Sequence, residues 1–126
     1  YRIWKEFRFE SAIQFESNQE GSSVKSLLGH SYVTRLHLTA PLDNVMGWTV
    51  DYGDVKELFK PTYNKLDHNY LNDIESLGKG DLESILRWMK SQMSDSLSQL
   101  DRIDLYETPG CGAMLCWGEH GPALPV

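Results

Sequence analysis

Asp67 and His68 are adjacent, and of all the residues in this chain their types and spacing best suit the movement of a proton. A carboxylate beside an imidazole can fix its tautomer and raise its basicity, and histidine titrates near neutral pH. The structural alternative is that Asp67 caps a turn while His68 packs at an interface. For an adjacent Asp–His pair taken without further context, the structural alternative is the favoured interpretation.

The two cysteines, Cys111 and Cys116, lie five residues apart near the end of the chain. In one continuous strand their side chains would point to opposite faces, which suits neither a disulfide nor a shared metal ion. We therefore expect two free thiols in a reducing compartment.

The composition is that of one globular domain, with 126 residues, 40% hydrophobic and 24% charged. The net charge is −6 and the basic residues are scattered, which argues against a nucleic-acid partner. No stretch is apolar enough for a membrane helix, and the opening residues lack the apolar block of a signal peptide. These features predict a cytoplasmic protein without a membrane partner.

Periodicity predicts the elements that must position these residues. Apolar residues alternate with polar ones at the start of the chain and predict a long strand, followed by a loop at residues 17–23 and a strand at residues 31–39. Helical stripes follow, at Val55, Leu58, Phe59, Thr62 and Leu66 and then at Leu82, Ile85, Leu86, Met89, Met93 and Leu97. Strands near residues 103–108 and 113–117 close the chain.

This order, β-β-α-α-β-β, predicts an α+β fold in which two helices cover one face of a four-stranded antiparallel sheet. Its uncovered face and edge strands favour assembly into an oligomer.

Several segments resemble the 6-pyruvoyl/6-carboxytetrahydropterin synthase family, the bacterial 6-carboxytetrahydropterin synthases being the nearer branch. These segments are residues 7–12 (FRFESA), 29–32 (GHSY), 51–56 (DYGDVK), 59–74 (containing LDHNYLN) and 107–108 (ET). The resemblance implies the T-fold, in which subunits assemble into a barrel with sites between them. It implies a single T-fold domain over residues 1–118, followed by an irregular tail at 119–126.

The chain departs from the family pattern where the family binds zinc. Of the three histidine positions, two are occupied by Ile13 and Leu28, and only His30 remains. The family's catalytic cysteine is replaced by Val24. One imidazole does not make a tight zinc site, which normally uses three or four protein ligands. We therefore expect no metal or cofactor, and a pocket lined by Ile13, Val24 and Leu28.

The remaining family residues give the candidate site. The resemblance places Asp67 and His68 in a proton relay, and it assigns Glu107 with Thr108 to the N–C–N edge of a pterin. The two oxygens of a carboxylate match two parallel N–H donors. His30 is interpreted as packing or as a ligand contact. His37 and His120 carry no motif and are predicted to be surface or tail residues.

Three functional hypotheses follow. The first is a repurposed, zinc-independent enzyme that binds a cyclic small molecule and moves a proton in an isomerase-, cyclase- or lyase-type step. An apolar enclosure strengthens hydrogen bonds and shifts pKa values, which favours it. The second is a non-catalytic pterin-like ligand-binding protein or partner subunit. The third is retained 6-carboxytetrahydropterin synthase activity. In each, the partners are a small molecule and further copies of the chain, as a trimer or hexamer.

Overall fold

A computed structural model describes residues 2–19, 22–39, 52–97 and 99–118, and for residues 14–19 and 22–28 it describes the backbone only. Its elements are β1 (Arg2–Gln19), β2 (Ser22–Thr39), α1 (Tyr52–Leu66), β3 (Asn69–Tyr70), a 3-10 turn (Leu71–Asp73), α2 (Leu82–Met93), β4 (Leu100–Thr108) and β5 (Cys111–Cys116). The strands form one sheet in the order β3-β1-β2-β4-β5. The predicted tail and His120 lie outside the described residues.

The first two strands pair along their whole length as an antiparallel hairpin, from Arg2 opposite Thr39 to Gln19 opposite Ser22. The loop predicted at residues 17–23 is therefore wrong, because all but two of those residues belong to the ladder. Polar residues and glycine are typical of loops, but backbone hydrogen bonds to a partner strand can hold such a segment extended.

The hydrophobic core lies between one face of the sheet and the two helices. Phe9 of β1 and Tyr32 of β2 are direct partners on that face, with ring centroids 5.0 Å apart and planes tilted by 19°. From α1 the buried residues are Val55, Phe59, Thr62 and Leu66, and from α2 the buried apolar residues include Ile85, Met89 and Met93. The predicted α+β layering, with both helices on one sheet face, is confirmed.

The sheet contains one strand that the sequence did not predict. Asn69 and Tyr70 form β3, which pairs in parallel with Ser11 and Ala12 of β1 and makes the sheet mixed. Two residues are too few for an alternation pattern to indicate a strand. This short strand matters because it fixes the residues just before it, Asp67 and His68, against β1.

His37 lies on the sheet face turned away from the helices, yet its side chain is only 1% exposed. The prediction that it is a surface residue is therefore wrong. Its Nε2 lies 2.9 Å from Oδ2 of Asp104, and Asp104 also accepts hydrogen bonds from Arg102 Nε at 2.7 Å and Nη2 at 3.0 Å. The three side chains form a buried charged cluster, called here the Asp104 cluster.

The two cysteines are free, with Cys111 exposed and Cys116 partly buried. In the part of the chain that the structure describes, no helix is long and apolar enough to cross a membrane.

Candidate active site

His68 is held in a tight turn between α1 and β3. Its backbone adopts φ 56°, a left-handed conformation that is unfavourable for a residue with a Cβ. The His68 N–H donates to the carbonyl of Glu10 at 2.6 Å, and the Glu10 N–H donates to Oδ1 of Asp67 at 3.0 Å. The backbone of one β1 residue thus fixes both residues of the pair.

The amide of Asn69 adds a second set of contacts to this turn. Its Nδ2 donates to the carbonyl of Asn64 at 2.9 Å and to the carbonyl of Asp67 at 3.1 Å. The hydroxyl of Tyr63 donates to the carbonyl of Arg8 at 2.8 Å, which fastens α1 to β1 close by. These contacts hold the turn in its conformation. A strained backbone persists only where surrounding contacts enforce it.

The carboxylate of Asp67 orients the imidazole of His68, whose Nδ1 lies 2.8 Å from Oδ2. Because a carboxylate only accepts, Nδ1 carries the proton in neutral His68 and Nε2 has the free lone pair. Partial burial alone would raise the pKa of Asp67, but hydrogen bonds from Glu10 N–H and His68 lower it below its usual value. Asp67 therefore stays ionised at neutral pH.

His68 and His30 face the same cleft, of about 550 Å³. The side chain of His68 is 76% exposed, so its ring is available to a bound molecule. The lining is completed by residues of the strands β1, β2 and β3: Glu10, Ser11, Ala12, Gly29, Ser31, Asn69 and Tyr70. Two of the predicted site residues, His30 and His68, thus line one cleft, and a third, Asp67, contacts the ring of His68.

Glu107 and Thr108 line a second cleft, of about 470 Å³, at the end of β4. Arg8 and Arg35 contribute to it as well, and Ser31 lines both clefts. Within one chain the carboxylate of Glu107 and the ring of His68 therefore belong to neighbouring but separate clefts. They are connected through Ser31, whose hydroxyl donates to Oε1 of Glu10 at 3.3 Å.

Tyr32 is a residue of this region that the sequence interpretation missed. Its ring lies 5.7 Å from that of His30, and burial together with the charge of Glu107 raises its pKa to about 12. The signal available in the sequence was its alternation with His30, which puts both side chains on one face of β2.

Comparison with known proteins identifies the family. The model of the 6-pyruvoyl tetrahydropterin synthase family matches residues 2–116 of this chain. The chain belongs to this family. A 6-carboxy-5,6,7,8-tetrahydropterin synthase from Synechocystis sp. is 29% identical over 112 residues, covering 84% of this chain and 85% of that protein.

Solved structures agree on the fold. The 6-pyruvoyl tetrahydropterin synthase of Caenorhabditis elegans superimposes with a TM-score of 0.80 at 18% identity, covering 94% of this chain and 96% of that one. The enzyme of Plasmodium falciparum gives a TM-score of 0.68, also at 18% identity, over 91% and 96% of the two chains. The T-fold predicted for this tetrahydropterin synthase relative is thereby confirmed.

The three zinc positions of a tetrahydropterin synthase lie on one face of the β1–β2 hairpin here. Ile13 is the direct partner of Leu28, and His30 follows two residues along the same strand. One imidazole and two aliphatic side chains do not fit a zinc ion, which needs three or four nitrogen, sulfur or oxygen ligands. Among the described residues, no three His, Cys, Asp or Glu side chains come together to hold a metal.

The structure describes the side chain of only one of the three residues predicted to form an apolar pocket lining. Ile13 is fully buried in the hydrophobic core, beside Gly80. The side chains of Val24 and Leu28 lie outside the described residues, although their backbone belongs to β2. The role of all three in a pocket wall stays a prediction.

Proposed function

We propose that this member of the tetrahydropterin synthase family is a zinc-independent enzyme that binds a cyclic small molecule and transfers a proton through His68. The observation that carries the proposal is the Asp67–His68 pair itself. Its imidazole is oriented by a carboxylate at 2.8 Å, is mostly exposed, and faces a cleft large enough for a bicyclic ligand.

In this proposal Asp67 positions the ring and stabilises the imidazolium that forms when Nε2 takes a proton from the substrate. The same imidazolium then returns the proton to a second atom, which describes an isomerase-, cyclase- or lyase-type step. The strained backbone at His68 supports this role, because a costly conformation persists where surrounding contacts enforce it, commonly at functional sites.

Glu107 and Thr108 are proposed to anchor the ligand through an amidine- or lactam-like edge, as a pterin presents. The proposal places complete sites between subunits of a homo-oligomer, a trimer or hexamer. It is supported by the separation of the two clefts within one subunit, since a neighbouring copy can bring its own Glu107 to the His68 cleft. We place the enzyme in the cytoplasm.

The second candidate function is a non-catalytic binding protein or partner subunit, which would need Glu107 but not a basic His68. Glu107 and Thr108 line a cleft of their own. This favours the binding-protein candidate over the third candidate, which is retained 6-carboxytetrahydropterin synthase activity. The third requires replacements for the ligands absent at Ile13 and Leu28 and for the nucleophile absent at Val24.

Proton transfer is tested by deuterium exchange. The purified protein is incubated in D₂O with a 6-hydroxyalkyl dihydropterin, and NMR follows the loss of proton signals from the hydroxyalkyl group of the ligand. We expect exchange that falls about 100-fold or more in His68→Ala, as for loss of a general base, with ligand binding retained. Glu107→Gln should weaken binding instead, and the exposed-site variant Asp95→Asn is the control.

Two results would contradict the proposal. Pterin binding without exchange in the wild-type protein would favour the binding-protein alternative. Zinc found at one ion per subunit in metal analysis, with exchange abolished on its removal, would favour the third.

A further inference from the structure

A further cleft, of about 380 Å³, lies between the helix α1 and the strand β1, and we call it the α1–β1 cleft. Its volume is within the range of small-molecule sites. It is distinct from the two clefts described above, because of its lining residues only Arg8 also lines the Glu107 cleft and none lines the His68 cleft. It therefore plays no part in the proposed proton transfer.

The charge of the α1–β1 cleft is opposite in sign to that of the protein. Its charged lining residues are the cations Arg8, Lys56 and Lys60 and the anion Glu57, which leaves a net charge of +2, or +1 if the shared Arg8 is left out. The whole chain carries −6. Counted in the same way, with neutral histidine, the His68 cleft has a net charge of −1 and the Glu107 cleft is neutral. A local excess of positive charge attracts anions.

The two lysines lie one helical turn apart in α1, and both are exposed. Like charges at this spacing repel each other and weaken an isolated helix. Neither ammonium group forms an ion pair with a carboxylate among the described residues. Their charge is thus uncompensated within this part of the protein, and a bound anion would offset the repulsion between them.

The wall of the cleft beside the lysines is aromatic and held in position. The hydroxyl of Tyr63 donates to the carbonyl of Arg8 at 2.8 Å. The ring of Phe59 is buried behind the wall, with its centroid 4.7 Å from that of Phe7 and 5.9 Å from that of Tyr63. Phe7 and Tyr63 themselves are only partly buried. Such rings pack well against the ring of an aromatic ligand.

We propose that the α1–β1 cleft is a second ligand site, which binds a small aromatic acid with its ring against Phe7 and Tyr63 and its anionic group at Lys56 and Lys60. The anionic group is a carboxylate or a phosphate, since a lysine ammonium binds either as a point charge. The inference goes beyond the proposed function and does not rest on it, because neither His68 nor Glu107 takes part.

Three ligands with the same ring but different charge provide the test: 2-naphthoate, 2-naphthyl phosphate and the neutral 2-naphthamide. Equilibrium dialysis measures their affinities for the wild-type protein, for the double variant Lys56→Gln/Lys60→Gln and for Glu57→Gln. Lys65→Gln is the matched control, because Lys65 is an exposed lysine of the same helix that does not line this cleft. All of these changes are at exposed positions, where substitutions leave the fold nearly unaffected.

We expect both anions to bind the wild-type protein about tenfold or more tightly than the amide, as for two partly exposed ion pairs. The double variant should bind the anions about tenfold more weakly and the amide with unchanged affinity. Glu57→Gln should bind the anions about threefold more tightly, because it removes the carboxylate that repels them. Lys65→Gln should behave as the wild-type protein. The tighter of the two anions identifies the preferred acid group.

The proposal is overturned if the anions bind no more tightly than the amide, or if none of the three ligands binds. It is also overturned if Lys65→Gln loses as much affinity as the double variant, since attraction by surface lysines in general would then explain the binding. Each of these results leaves the proposed proton transfer at His68 intact, and loss of deuterium exchange would leave the α1–β1 cleft intact.

Discussion

Replacing Asp104 with asparagine should be among the most damaging single changes outside the helices. The carboxylate is fully buried and accepts three hydrogen bonds, two from Arg102 at 2.7 and 3.0 Å and one from His37 at 2.9 Å. Asparagine is nearly the same size but carries no charge. The substitution therefore leaves the guanidinium of Arg102, itself 1% exposed, without the carboxylate that now faces it.

Removing one partner of a buried ion pair costs about 3–5 kcal/mol, because the remaining charge stays out of water. A domain of this size has a free energy of unfolding of about 5–15 kcal/mol, so Asp104→Asn should remove a large part of it. The measurement is urea unfolding at pH 7, followed by the fluorescence of the tryptophans, of which the protein has four.

The matched control is Asp95→Asn, the same chemical change at an exposed turn position, which should alter the free energy of unfolding by about 0.5 kcal/mol or less. A loss below about 1 kcal/mol for Asp104→Asn would refute the reasoning. So would a triple apolar replacement of Asp104, Arg102 and His37 that is less stable than Asp104→Asn alone, since replacing all three also removes the buried charge of Arg102.

Two further predictions concern the pH dependence of the Asp104 cluster and the backbone conformation at Gly80. Burial alone would raise the pKa of Asp104, but hydrogen bonds from His37 and Arg102 lower it below the unfolded value of about 3.9, so its contribution should be complete above that pH and lost as the pH falls further. In urea unfolding from pH 7 to pH 2, the difference between wild type and Asp104→Asn should shrink only below about pH 4; a difference that shrinks from pH 7 would contradict this. Gly80→Ala should cost about 1 kcal/mol or more, because Gly80 has φ 83° and an added Cβ would lie 3.3 Å from Cγ2 of Ile13. Gly110→Ala, with open space around it, should change the free energy of unfolding little, and equal effects of the two would count against strain at Gly80.

Alternation and helical spacing were enough to predict the layers of this fold. Phe9 and Ile13 are buried on the helix-facing side of β1, and Val55 and Phe59 are buried on α1, as the apolar periodicity indicated. Such patterns work because each element has one face to bury, and that requirement is local to the element.

The features that the sequence did not predict depend on contacts between distant segments. The buried His37 has its polar partner in Asp104 of β4, 67 residues further along the chain. The strand β3 pairs with Ser11 and Ala12 of β1, next to the hydrogen bond from His68 N–H to the carbonyl of Glu10. No local pattern records either contact, since each depends on the register between strands.

The sequence indicated which residues belong to the candidate site, but not how they are arranged in space. The structure brings His68 into contact with Asp67 and into one cleft with His30, and the roles of these residues stay predictions. The separation of Glu107 into a neighbouring cleft does not follow from spacing along the sequence. It is set by the position of β4 relative to β2, which sequence periodicity leaves open.

Asp67 and His68 should be conserved to different degrees in a lineage that no longer needed the proposed proton transfer. Asp67 would be retained for stability alone, because its carboxylate accepts the Glu10 N–H that secures the turn. His68 would drift towards glycine, which adopts φ 56° without steric cost. Conservation of His68 among descendants of this protein would therefore indicate selection for activity, whereas conservation of Asp67 would not.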